Sequence, residues 1–255
     1  KIESEREWNL KISSAIEEAY RYRPYQKDID SIKSILSLDR AKEIAADIEN
    51  NHTDIVDINQ IKKSDIADMT QGHTAHLTTS DKYGNVVSLT QTLGPNMGSK
   101  VATKGLGFLY NVTMGPYLGG YLGEDKPGDR ASSHISPTIF SKNDKVVLAL
   151  GAAGGNKIPI AINQVAYRYL KTGMPLGDAI FFPRVYKYDS PIYIESHLGI
   201  NHLSDFEFYP ESFNVEMIRT KAYFGRVHAI ALDSINGKWI GSADPDWEGN
   251  VSSFE

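Results

Sequence analysis

Three times along the chain, two strand-like stretches, alternating apolar and polar in the first and last pairs, flank a short run rich in Asn, Asp or Gly. No other feature restricts the fold as much. Residues 74–79 and 86–92 flank DKYGN, residues 138–140 and 146–150 flank Asn143-Asp144, and residues 227–233 and 238–243 flank Asn236-Gly237. A period of two sends successive side chains to opposite faces of a strand, and Asn, Asp and Gly accept the positive φ of a tight turn. Antiparallel hairpins with helices gathered elsewhere predict a layered α+β fold, not a parallel sheet of βαβ units.

Helical periodicity is clearest at the front. Trp8, Leu10, Ile12, Ala15, Ile16 and Ala19 fall largely on one face of a helix over 3–22, which Arg23-Pro24 ends. Residues 28–36 and 39–48 predict two further helices, and the polar stretch 50–68 reads as loop or linker. The charges of this region read as solvated helix faces, with no catalytic character. Downstream, helices are expected at 160–172 and 176–181 and short strands at 107–111, 184–188 and 192–195. The stretch from 195 to 219 reads as irregular.

Composition narrows the function. With 255 residues, 41% of them hydrophobic, the chain can bury one large domain, with or without an appendage. Lys plus Arg number 27 against 32 Asp plus Glu, and no basic run is present to neutralise phosphates, so nucleic acid is not an expected partner. The absence of cysteine excludes disulfides, thiolate metal sites and a Cys nucleophile. No apolar run approaches the roughly 18 residues of a membrane span. No signal segment is recognised after Lys1. A soluble protein is expected, with the cytoplasm as default and the compartment open.

The candidate chemistry starts at residues 72–85, GHTAHLTTSDKYGN, where Thr74 opens the first strand after a polar run. A threonine hydroxyl is a weak nucleophile. If the chain were cut just before Thr74, however, the new α-amine, of ordinary pKa about 7.7–8.0, would sit beside that hydroxyl as its base. Taken alone, a threonine that opens a strand is usually structural. Gly154 and Gly155 lie in GAAGGNKIP, between a strand and a helix, where unpaired N–H groups could hold an oxyanion or where glycines could simply pack closely. The glycine-rich stretches 94–107 and 115–127 match neither a P-loop nor a GxGxxG and read as turns. His73 and His76 lack an HExxH partner, and His134, His197, His202 and His228 lie apart, so no metal or other cofactor is expected. His76 reads as a hairpin side chain with its hydrogen bond met. Asp244 and Asp246 read as a turn that ends a strand, with an acid–base pair as the alternative.

Together these motifs resemble the γ-glutamyltranspeptidase family of N-terminal nucleophile hydrolases, in the same order from about residue 3 to the C-terminus. GHTAHLTTSDKYGNVVSLTQTL is similar to the start of that family's small subunit, and Thr74 takes the place of its nucleophile. By the same resemblance Thr92 supplies the second hydroxyl, Ser132 and Ser133 the pair that binds the donor carboxylate, and Gly154 and Gly155 the oxyanion hole. Residues 242–245, SADP, match a further family feature. The resemblance implies a four-layer αββα sandwich, self-cleavage between His73 and Thr74, and acyl transfer from a glutathione-like amide to water or an amine. It divides the chain into 1–73, the helical tail of a large subunit, and 74–255, a small-subunit-like catalytic region, as parts of one domain. Its implied partners are a small-molecule amide and the large-subunit half of a precursor, with room for a dimer.

Two departures modify this expectation. Where the family carries an acid that holds the donor's α-ammonium, residues 111–116 read NVTMGP, and Asn111 and Thr113 offer only neutral hydrogen bonds. Loss of one charged hydrogen bond costs on the order of 1.5–3 kcal/mol, a factor of about ten or more in preference. The front half of the family precursor, with the arginine that grips the donor carboxylate, has no counterpart in these residues. An acylase of different substrate class with the same nucleophile, and an unprocessed non-catalytic relative, therefore stand as alternatives.

Overall fold

A computed structural model of the chain describes residues 4–22, 29–50, 73–113, 133–187, 192–195, 215–218, 223–246 and 249–254. The expected linker at 50–68, the loop at 115–127, and Ser132, His197 and His202 lie wholly or mostly outside them. The chain divides into two compact units, Lys1–Ser64 with Pro183–Arg219, and Asp65–Phe182 with Thr220–Glu255.

In the first unit, α1 (Glu5–Arg21) starts where the Ser4 hydroxyl accepts the N–H of Glu7 at 3.1 Å. Helices α2 (Ile29–Ile35) and α3 (Leu38–Asn50) follow, close to the predicted bounds. Leu10 and Ile12 pack against Val185, Ile192 and Ile194 of strands β5 (Val185–Lys187) and β6 (Ile192–Glu195). β5 and β6 pair antiparallel as two short strands, but β7 (Val215–Ile218) joins β6 in parallel. That strand lies in the stretch read as irregular. A parallel partner needs no adjacent turn, so no hairpin signal announces it. Arg184 and Glu195 are both buried and form a two-pronged ion pair, Nε to Oε2 at 2.7 Å and Nη2 to Oε1 at 2.8 Å.

The second unit holds the hairpins. β1 (Thr74–Ser80) and β2 (Val86–Thr92) pair from Thr74↔Thr92 to Ser80↔Val86. Their turn is tied by the Asp81 carboxylate, which accepts the N–H groups of Tyr83 and Asn85 at 2.8 and 2.9 Å. The remaining strands, β3 (Thr138–Lys142), β4 (Lys145–Ala153), β8 (Arg226–Leu232) and β9 (Trp239–Ala243), form one sheet in the order β3-β4-β8-β9. Asn143 and Asp144 take φ of 50° and 60° in the β3–β4 turn, the left-handed pair that a two-residue hairpin requires. All three expected hairpins are present. Residues 107–111 are not a strand: Leu109 makes one isolated bridge back to Ala102, across a turn that contains glycines 105 and 107, both of positive φ.

One face of this sheet carries the core. Leu148, Leu150 and Ala152 of β4 and Val227, Ala229 and Ala231 of β8 pack on Ile158, Ala161, Ile162 and Val165 of α4 (Ile158–Tyr167), and on α5 (Leu176–Phe181). α4 begins two residues before its predicted start, behind a tight turn at Gly155–Lys157. It ends in a wider π turn, Arg168–Thr172, closed by left-handed Gly173. The β1–β2 hairpin packs on the opposite face of β4 and β8. Within this unit the described residues thus stack hairpin, sheet and helices as three layers.

Candidate active site

The hairpin turns its polar face inward. Thr74, His76, Thr78, Ser88, Thr90 and Thr92 face the larger sheet, while Leu77, Val87 and Leu89 are exposed. Thr74 and Thr92 face each other across the ladder, with their hydroxyl oxygens 2.9 Å apart. The N–H of buried Gly94 donates to the Thr92 oxygen at 3.0 Å, so Thr92 is held from behind. One step before Thr74, the His73 carbonyl accepts the N–H of Leu93 at 3.0 Å, and the His73 N–H reaches the Gly94 carbonyl at 3.2 Å. The one-residue shift is a bulge at the strand end, a local device that re-aims side chains.

Residues 111–113 come to the same place. The Val112 N–H donates to the Leu93 carbonyl at 3.1 Å, which sets Asn111 and Thr113 beside the residue that follows Thr92. Thr113 is only 8% exposed and its hydroxyl points to the Asn111 amide oxygen at 3.5 Å. Gly98 supports this loop: it has φ of +56°, and a Cβ there would come within 2.4 Å of the Tyr110 carbonyl.

The glycine pair lies at the end of β4. The His76 ring lies over Gly151, and Ser88, opposite Thr78 one pleat nearer the turn, donates to the Leu150 carbonyl at 3.1 Å. Passing from the turn toward the open end of the hairpin thus follows β4 toward its C-terminal end. Thr74 and Gly154 both lie beyond the His76 contact. Gly154 has φ of +143° and backs onto Gly225, where a Cβ would meet the Gly225 Cα at 2.6 Å. Gly155 has φ of +61° and open space where its Cβ would be. Within the turn the Lys157 N–H donates to the Gly154 carbonyl at 3.3 Å.

Ser133 is exposed, and its hydroxyl accepts the Ile135 N–H at 3.2 Å within its own loop. Among the described residues no hydrogen bond joins it to Thr74 or Thr92. Asp244 is buried at the end of β9 and accepts the N–H groups of Val227 and Asp246, both at 3.0 Å, which is the work of a turn that ends a strand. The His76 Nδ1 lies 2.8 Å from the Thr90 hydroxyl oxygen, and among the described residues its buried Nε2 has no hydrogen-bond partner. Burial, with His228 nearby, pushes its pKa down to about 4.

The sequence reading did not single out Lys157. It is 3% exposed directly behind the glycine pair, its Nζ lies 4.0 Å from the centre of the Tyr223 ring, and burial pushes its pKa down to about 8. A lone lysine after Gly-Gly-Asn carries no sign of burial. Its aromatic partner is 66 positions away.

A family model described as Gamma-glutamyltranspeptidase matches residues 4–254. The chain belongs to this family. The glutathione hydrolase proenzyme of Bacillus subtilis (strain 168) is 30% identical over 185 residues, which cover 71% of this chain and 31% of that protein. This member of the γ-glutamyltranspeptidase family spans about a third or less of the length of the curated relatives it matches. A solved mutant of γ-glutamyltranspeptidase from Helicobacter pylori is 28% identical, with a TM-score of 0.55 over 68% of this chain and 99% of that one. Cephalosporin acylase from Bacillus halodurans covers 100% of this chain with 46% of its own, at a TM-score of 0.71 and 20% identity, and shares the fold.

Proposed function

We propose that this γ-glutamyltranspeptidase family chain is the catalytic part of an N-terminal threonine amidohydrolase and acyltransferase that processes itself before Thr74. The observation that carries the reading is the 2.9 Å contact between the Thr74 and Thr92 hydroxyls, one residue after a carbonyl already held by a backbone N–H. In self-cleavage the Thr74 oxygen adds to the His73 carbonyl, the peptide C–N bond breaks, and the acyl group passes from nitrogen to oxygen. Water then splits the ester, leaving a carboxylate on His73 and a free α-amine on Thr74.

That amine would serve as base for Thr74 in attack on a substrate amide. The proton taken from the hydroxyl goes to the leaving amine, and Thr92 steadies the oxygen by hydrogen bonding. The N–H groups at Gly154 and Gly155 would hold the oxyanion. Water resolves the acyl-threonine in hydrolysis and an amine does so in transfer. Ser132 and Ser133 would take the donor carboxylate, with Asn111 and Thr113 beside the acyl chain. Cleavage would divide the chain into 1–73 and 74–255. A four-layer αββα sandwich, pairing with the large-subunit half of a precursor, and dimer formation belong to the same proposal.

The substrate would be a small amide with a carboxylate on its acyl part, a γ-glutamyl amide of the glutathione kind in the first instance. Thr113 supports a second reading, an acylase with little γ-glutamyl preference, because this buried hydroxyl gives an α-ammonium no counter-charge. Relative rates on glutathione and on acyl-lactams separate the two. Intact-mass spectrometry of the wild type and Thr74→Ala tests the nucleophile: a second fragment that begins at Thr74 is expected from the wild type alone. If both stay whole under all conditions, the catalytic reading fails and an unprocessed relative remains.

A further inference from the structure

The hairpin that carries Thr74 is seated on the larger sheet by a ring placed in a notch. A Cβ on Gly151 would lie 2.3 Å from Cε1 and 2.4 Å from Nδ1 of His76, so the ring occupies the space where any other residue's side chain would begin. The neighbours on this face of β4 are small as well. Gly151 alternates with Ala149 and Ala153, while Leu148 and Leu150 turn to the helices. The notch is therefore confined to the side on which the hairpin lies. His76 is pinned to the opposite strand of its hairpin by Nδ1 to the Thr90 hydroxyl at 2.8 Å, and Thr90 is itself buried. His228 lies opposite Gly151 on β8, and its ring in turn fills the space at Gly249, where a Cβ would come within 2.5 Å.

Thr74 and His76 are two residues apart on one strand and on one face, so the height of the ring above β4 sets the height of the threonine above the same sheet. Among the described residues the buried His76 Nε2 has no hydrogen-bond partner, which is a cost to the fold wherever it stays so. A ring kept at that cost contributes shape more than polarity. The geometry points to His76 and Gly151 as positioning residues for Thr74: the imidazole seated on the glycine fixes the spacing between the two sheets, and with it the reach of the Thr74 hydroxyl to the groups at the end of β4. The inference rests on the proposed role of Thr74.

A methyl group at residue 151 would have to move the ring by about 1 Å to restore ordinary contact at 3.4 Å. Misplacement of a reacting group by about that distance costs on the order of a hundredfold in rate. The test uses the protein produced from its complete reading frame, with Gly151→Ala, His76→Ala, the double variant and Thr74→Ala. The readouts are the rate of cleavage before Thr74 and kcat and KM on a chromogenic γ-glutamyl anilide. Gly151→Ala is expected to slow cleavage and kcat by about a hundredfold while KM changes by less than about threefold. The double variant, in which the methyl group enters the room left by the ring, should recover at least about tenfold of that loss.

Gly151→Ala within about twofold of wild type would overturn the inference. So would a double variant no faster than Gly151→Ala, since the added methyl group would then act other than through the ring. Thr74→Ala separates the two levels. If it still cleaves, the nucleophile reading fails. If it is inert while Gly151→Ala runs at full rate, only the positioning inference fails.

Discussion

Replacement of Thr92 by valine keeps the shape of the side chain and removes one oxygen, which in this structure has two partners. Toward Thr74 the loss is a hydroxyl contact of 2.9 Å, and toward the backbone it is the acceptor of the Gly94 N–H at 3.0 Å. The two losses act on different quantities. The Gly94 N–H is buried, and a buried donor left without its acceptor costs about 1–3 kcal/mol of stability. Oxygen charge builds on Thr74 as it attacks, and a hydrogen bond to a charged group contributes about 1.5–3 kcal/mol, which amounts to roughly 10- to 150-fold in rate. Thr92→Val is therefore expected to melt lower and to cleave before Thr74 some 10- to 150-fold more slowly. Thr92→Ser should keep most of both. The assay is single-turnover processing followed by intact mass, alongside urea unfolding at the same pH. A Thr92→Val protein that loses stability but cleaves at the wild-type rate would refute the argument, because the hydroxyl would then serve only Gly94.

Other perturbations read separate parts of the structure. His76 titrates near 4 in the fold against an ordinary 6.5, so between those values the unfolded chain binds more protons. Stability is then complete above pH 6.5 and is lost as pH falls toward 4, by roughly 1–2 kcal/mol once solvent screening of the half-buried ring is allowed for. Its charged neighbour is His228 on β8, which in turn feels Asp244 and Arg226. Unfolding at pH 7 and 4.5 should show a shallower loss in His76→Gln than in the wild type, and equal slopes would count against the assignment. Arg184→Met strips the buried Glu195 of its guanidinium and should cost about 3–5 kcal/mol, much of it regained in Arg184→Met/Glu195→Leu, as read by thermal melts. Gly154→Ala should yield little folded protein, since its methyl meets the Gly225 backbone at 2.6 Å. Gly155→Ala opens onto free space and should cost only the roughly 1–2 kcal/mol of left-handed strain; equal behaviour of the two would contradict this packing.

The hairpins were legible because their signals are local. Asp81, Asn143-Asp144 and Asn236-Gly237 each announce a turn within a few residues of the strands it joins. The parallel partner of β6 was not legible, since nothing near residues 215–218 encodes a neighbour some twenty positions away. In the site, Thr74 and Thr92 could be named from resemblance, and their pairing follows from the register that the turn imposes. Asn111 and Thr113 join them through one backbone hydrogen bond, from Val112 to Leu93, that no periodicity foretells. His76 reads in the sequence as an ordinary alternating position. Its place over Gly151 depends on which face of which strand meets it, a property of the packed sheets and not of either segment.

Strand β4 shows how one sequence serves stability and chemistry together. Its even-numbered residues Leu148, Leu150 and Ala152 close on α4 with Val227, Ala229 and Ala231 beside them. Each large side chain buried there contributes about 1.5–3 kcal/mol to the fold. Its odd-numbered residues Ala149, Gly151 and Ala153 are small and lie across from Ile230, His228 and Arg226. Over them the hairpin lays threonines, a serine and a histidine, groups that gain little from burial and need partners when they are buried. A sheet stabilised only by its hairpin side would be poorly held. With the apolar burden carried by the helix side, the inter-sheet space can stay polar without unfolding the unit. Replacement of Leu150 by alanine should then cost about 2–5 kcal/mol with little direct effect on Thr74, whereas Gly151→Ala, one residue on, should act on Thr74 far more than its single added methyl group suggests.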